Sequence, residues 1–276
     1  MRATVHFDAT VHFKKKTRPL RLAAAAAVLA AGAASAAPAQ DFTWEGRVAP
    51  GQAVEIKGTN GDVKAGPAAG DRVEVTAVKK ARRSDPAAVE VKVVPHAGGV
   101  TLCAVYPTPA GRSPNECRPG EGGRMSVQDN DVSVTFTVRV PAGVRFVGRT
   151  VNGGIDADGL AGDVEAHTVN GGVRVGTSGA VQAETVNGSI TASVGQSDGT
   201  EPLSFKTVNG SIALDLPAGA GAELRASTVN GDIQSDFPVA GQGRVSRRRL
   251  AGTIGGGGRE LSLETVNGSI RIRQAR

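Results

Sequence analysis

The chain has 276 residues, 39% of them hydrophobic and only 3% aromatic, with 38 glycines and a formal charge of +6. Residues 1–39 hold six basic side chains and one acidic, so +5 of that charge sits there and about +1 is left for residues 40–276. A near-neutral body excludes a strong nucleic-acid-binding field. A core built from Val, Ile, Leu, Ala and Thr suits thin stacked layers better than a globular enzyme interior.

Residues 1–39 read as a leader and secretory signal peptide. Lys14 to Arg21 is a positive segment, Leu22 to Ala34 is a short apolar run, and Ala34-Ser35-Ala36 and Ala37-Pro38-Ala39 are small-residue cleavage sites. The apolar run is too short to span a membrane, no cysteine follows it to take a lipid, and no later stretch is long enough to span. The chain is therefore expected to be exported, to the periplasm or to the cell surface or medium. Ala3 to Phe7 recurs as Ala9 to Phe13, which suggests a true start downstream of Met1.

Residues 40–276 read as a single β domain, with irregular strands over 40–141 and repeats over 142–276. Val54 and Ile56 lead into Asn60. Val73, Val75 and Ala77 alternate with polar residues, as do Val89, Val91 and Val93, and Val132 to Val140 is the cleanest alternation. Cys103 and Cys117 are the only cysteines, and in an exported chain an even pair predicts a disulfide. It would close a loop rich in Pro and Gly, worth about 3 kcal/mol in the entropic model.

The second half repeats one phrase, Thr-Val-Asn-Gly, any residue, then Ile or Val. Its asparagines are Asn152, Asn170, Asn187, Asn209, Asn230 and Asn267, at steps of 18, 17, 22, 21 and 37 residues. A looser copy spans Gly58 to Val63 and carries Asn60. A period near 20 signals stacked units that bury their apolar faces against one another. Before each Asn the apolar positions alternate with period 2, as in Leu261, Leu263 and Thr265; after it they resume as Ile270 and Ile272. The step between inward positions across Asn-Gly is three, so the strand turns a corner there. Asn-Gly is also the strongest hairpin signal, which would give a meander or sandwich. Near-identical corners favour a β-solenoid, in which equivalent residues lie above one another and the seven asparagines form an amide ladder. On that view the interior amides are buried, and Asn267, on the last repeat, has one neighbour only. The same parity puts Val151, Val169, Val186, Val208, Val229 and Val266 outside, either for strand propensity or as a docking stripe.

Residues 238–259 lengthen the last step and carry Arg244, Arg247, Arg248 and Arg249. They read as a solvated basic loop, with Arg247, Arg248 and Arg249 as a candidate surface contact for an anion or acidic polysaccharide. No HExxH, Gly-x-Ser-x-Gly or Walker pattern occurs, and Asp156-Ala-Asp158-Gly159 lacks the remaining ligands of a calcium loop. His167 points outward with no second ligand at metal spacing. Catalytic, cofactor and metal residues are accordingly expected to be none. Asn187, Asn209 and Asn267 precede Gly-Ser as formal glycosylation sequons, discounted if those asparagines point inward.

The phrase copies, Cys103-Ala-Val-Tyr106-Pro with Asn115-Glu-Cys117, and Gly252-Thr-Ile-Gly-Gly-Gly-Gly258 resemble a family of exported bacterial proteins named putative adhesins, over roughly residues 41–276. The resemblance implies an all-β, solenoid-like exported domain and supplies no catalytic residues. The expected function is a non-enzymatic structural or adhesin-like protein of the cell envelope. Its partner would be a surface polysaccharide or an envelope protein, not nucleic acid. The alternatives are a polysaccharide-acting β-helix enzyme and a component of envelope-stress signalling.

Overall fold

A computed structural model describes residues 40–195, 200–241 and 246–275. The leader, Arg244 and the cleavage sites lie outside the described residues. Described residues form strands and turns, with one 3₁₀ turn at Pro86–Ala88. Two long sheets, of ten and eleven strands, face each other across a single apolar core. The fold is an all-β solenoid. Each coil places one strand in the leading sheet, turns at Asn-Gly, and places the next strand in the trailing sheet. Leading strands include Ala53–Lys57, Arg145–Arg149, Val164–His167, Val181–Asn187, Leu203–Asn209, Arg259–Asn267 and Ala222–Asn230. All seven run parallel, each beside the next in that order.

The stacking order departs from the chain order. The last phrase does not lie at the end: Arg259–Asn267 pairs with Leu203–Asn209 on one side and with Ala222–Asn230 on the other. Asn267 therefore has two neighbours, and Asn230 ends the row. The exposed side of Ala222–Asn230 is covered by the antiparallel strand Arg249–Ile254, which also pairs with Val239–Ala240. Residues 238–241 and 246–259 are thus an edge cap more than a free loop, and a covered edge cannot template further strand pairing. At the other end the same two sheets continue through Gly99–Val105 and Ser133–Val140, then close with the antiparallel strands Glu90–His96, Arg72–Lys80 and Gln40–Arg47.

Every residue of the phrase has an assignable task at the corner. The Ile or Val fills the core in a row that runs Val63, Ile155, Val173, Ile190, Ile212, Ile270, Ile233. The Thr side chains are buried. Each Thr hydroxyl donates to a glycine carbonyl one coil away: Thr168 to Gly153 at 2.8 Å, Thr185 to Gly171 at 2.9 Å, Thr207 to Gly188 at 2.8 Å, Thr265 to Gly210 at 2.8 Å. The glycine itself is dictated by close approach. A Cβ on Gly171, Gly188 or Gly268 would lie about 2.0 Å from the carbonyl oxygen of the preceding coil's glycine.

The asparagine amides form one continuous ladder. Asn152 Nδ2 donates to Asn60 Oδ1 at 2.9 Å, Asn170 to Asn152 at 2.9 Å, Asn187 to Asn170 at 2.8 Å and Asn209 to Asn187 at 2.8 Å. Asn267 then donates to Asn209, and Asn230 to Asn267, both at 2.8 Å. These side chains are exposed from Asn152 onward, in contrast to the buried row expected from sequence. A corner that turns outward leaves the amide at the rim and puts the smaller Thr inside.

The glycine contact predicts that Gly188→Ala destabilises severely, by about 3 kcal/mol or more, because a backbone carbonyl must move. Gly256→Ala, with nothing within 4 Å of the added atom, should leave urea unfolding unchanged. The stacking order predicts that Asn267→Asp and Asn209→Asp cost similar amounts, about 1–2 kcal/mol, and more than Asn230→Asp. Thermal unfolding of the three variants checks the ranking.

Candidate functional site on the outer face of the leading sheet

Strand alternation sends every second leading-strand residue outward, and the parallel register aligns these into rows. One row reads Arg149, His167, Glu184, Lys206, Glu264, Ser227. The next row toward the corner is the valines. Val151 is buried, at 8% exposure, which corrects the expectation that the whole row lies outside. It sits where the coil meets the N-terminal cap. Val169 and Val208 are half-buried. Val186, Val266 and Val229 are 39%, 38% and 54% exposed, and they are the exposed large hydrophobics of the described residues.

Between the two rows runs a shallow groove of about 250 Å³, lined by His167, Val169, Glu184, Val186, Lys206 and Val208 and floored by Thr150, Thr168 and Thr185. Its polar wall is wired into a chain of ionic contacts. Arg149 Nε donates to Glu55 at 3.2 Å and Arg149 Nη2 to Glu165. His167 Nε2 lies 2.9 Å from Glu165, and its Nδ1 lies 3.5 Å from Glu184. Arg149 is buried, and its Nη1 has no hydrogen-bond partner among the described residues.

Burial alone would lower the pKa of His167, but its hydrogen bonds to Glu165 and Glu184 outweigh that and hold it above the ordinary 6.5. The same imidazole, through its hydrogen bond, holds Glu165 and Glu184 below 4.5. No local sequence pattern signals this cluster, because Glu55 is 94 residues from Arg149 and only the register joins them.

The Cys103–Cys117 pair is bridged, with Cα atoms 5.8 Å apart. The loop beyond Cys117 folds over the far end of this face, and the Lys57 ammonium donates to the carbonyls of Arg118 at 2.7 Å and Gly122 at 2.9 Å, and to that of Gly120. Glu55 beside it accepts from Thr101 Oγ1 and from the Gly120 N–H. Tyr106 closes the junction, donating from its hydroxyl to Val132 O at 2.8 Å; burial pushes its pKa up to about 12. Asp131 accepts from the Ser84 N–H at 2.8 Å, and from Arg82 and Arg83, which pulls its pKa down to about 2. Asp129-Asn130-Asp131 is thus a turn that pins a second turn. Arg247, Arg248 and Arg249 are exposed at the opposite end of the face. Their backbone caps the last coil, with Ile233 N donating to Arg247 O and Thr228 N to Arg248 O, both at 2.9 Å. Among the described residues no group of three or more His, Cys, Asp or Glu is placed to hold a metal ion, and no helix is long and apolar enough to cross a membrane.

A parallel two-sheet solenoid with an Asn-Gly corner and one apolar outer row defines the class. Residues 149–273 match the family model Toastrack DUF4097. No curated protein matches the chain. A putative cell adhesion protein of Clostridium sporogenes aligns over 86% of this chain and 100% of its own, with 12% identity and a TM-score of 0.49. A putative adhesin of Bacteroides fragilis aligns over 86% and 97%, with 11% identity and a TM-score of 0.27. Neither likeness is strong enough to carry function to this chain.

The shifts on His167, Glu165 and Glu184 set a pH window. The two carboxylates stabilise the fold above about pH 4.5 and lose that contribution as pH falls through their lowered values. His167 stabilises it below about pH 6.5 and loses that as pH rises through its raised value. His167→Gln should therefore destabilise the protein more at pH 5.5 than at pH 9, as read by urea midpoints of both chains at both pH values.

Proposed function

We propose that the protein is an exported, non-enzymatic, adhesin-like binding protein of the bacterial envelope, and that the outer face of the leading sheet is its working surface. The observation that carries this reading is the valine row. The exposed large hydrophobics of the described residues, Val186, Val229 and Val266, fall in one line beside a charged line, on a face braced by the corner ladders. Contiguous exposed apolar side chains rimmed by polar ones mark contact sites. The secretory leader read from residues 1–39 supports export.

The test has two arms. N-terminal sequencing of envelope or secreted material should find a start at Ala37 or Gln40; an intact Lys14 to Arg21 segment on that material contradicts export. Purified protein applied to a glycan array and to isolated envelope fractions should be retained by one of them, and Val186→Asp should reduce that retention at least several-fold while leaving the melting temperature unchanged. Absence of any retention, or turnover of a polysaccharide that a point change in this chain abolishes, overturns the reading.

A further inference from the structure

We propose that the partner of this face is a second copy of the chain, docked face to face about a two-fold axis. The axis runs along the strand direction and passes between Val181–Asn187 and Leu203–Asn209. This inference rests on the reading of the face as a binding surface and names its occupant.

The argument is one of self-complementarity. Such an axis reverses the coil order in the facing copy, so each leading strand meets its mirror position in the row. Glu184 then faces the partner copy's Lys206, and Lys206 faces its Glu184. One coil further out, His167 faces Glu264. The register that fixes these positions is Glu184 beside Lys206 and Lys206 beside Glu264. In the apolar row Val186 meets Val208 and Val169 meets Val266, so apolar faces apolar over the four central coils; the next coil out takes no part, because Val147, Arg149 and Val151 are buried. Toward the strand starts, Gln182 meets Ser204 and Glu165 meets Ser262, with no like charges opposed.

The position of the axis is also central in the sheet. Five strands of the eleven-stranded sheet lie on one side of it and six on the other. The disulfide loop over Lys57 then falls opposite the partner's edge strand Arg249–Ile254, beyond the four-coil contact. Four strands about 4.8 Å apart and three outward rows about 7 Å apart give a patch of roughly 400 Å² on each copy. The pair buries about 800 Å², the size of a weak, transient contact. A reversible, concentration-dependent dimer is the expected state, held in register by the charges and closed by the valines.

Sedimentation velocity of the purified protein over a wide concentration range tests this. The unchanged chain should associate reversibly to a dimer. Lys206→Glu and Glu184→Lys, each alone, oppose like charges twice across the axis and should weaken the dimer on the order of a hundredfold. Mixing those two variants sets the two acidic side chains of one chain against the two lysines of the other, and the heterodimer should recover. Neighbours within one sheet cannot produce that recovery. Val186→Asp should be monomeric with an unchanged melting temperature, which keeps the proposal testable if a charge variant folds poorly. A chain that is monomeric at every concentration overturns the inference, as does a pair of folded single variants that dimerise normally or that fail to recover on mixing. If the chain is monomeric while Val186→Asp still loses envelope retention, the self-docking falls and the binding face stands. If it dimerises while no envelope component is retained, the reverse holds.

Discussion

The carbonyl oxygen of the corner glycine is the point on which the structure turns. It accepts the buried Thr hydroxyl of the adjacent coil, and it lies where the Cβ of that coil's glycine would be. One atom therefore fixes two residues of the phrase at once. With Thr and Gly set, the Asn amides come into register at about one strand spacing and pair in series. The Thr hydroxyl would be a costly buried group without its acceptor, so each coil is stabilised only when its neighbour is in place. The corner makes the stack cooperative between coils, as nearest-neighbour repeat structures are.

That dependence explains the departure from chain order. All corners present the same donors and acceptors, so any phrase can seat on any other. The chain leaves one slot between Leu203–Asn209 and Ala222–Asn230, and the final phrase fills it. The outermost coil is then an internal segment followed by chain that folds back over it as Arg249–Ile254. A C-terminal strand held on both sides cannot fray as an edge strand would, and the basic turn at Arg247 to Arg249 is held by backbone pairing to the last coil.

Much of this was legible in the sequence, for reasons that lie in particular residues. Alternation around Leu261, Leu263, Ile270 and Ile272 marked the strands and their inward faces, and the three-residue step at Asn-Gly marked the corner. The stack of identical asparagines follows from a coil that continues instead of turning back. The insertion of Asn267 was not legible, because identical phrases carry no information about which neighbour each takes. The exposure of the amides and the burial of Val151 depend on how the corner splays and on the cap from residues 40–141. The cluster of Glu55, Arg149, Glu165, His167 and Glu184 joins residues from separate coils, and no local pattern announces it. Its charges are read only once the register is known.

The central claim is that the last phrase seats between the fourth and fifth full copies. Paired cysteines at the corner test it directly. Neighbouring strands bring Cα atoms within disulfide reach, and strands two apart, at about 9.6 Å, are too far. Cross-linking yields under mild oxidation should be high for Asn209→Cys with Asn267→Cys and for Asn267→Cys with Asn230→Cys, and low for Asn209→Cys with Asn230→Cys. A bridge that forms between positions 209 and 230 in preference to the other two would place the coils in chain order and contradict the account.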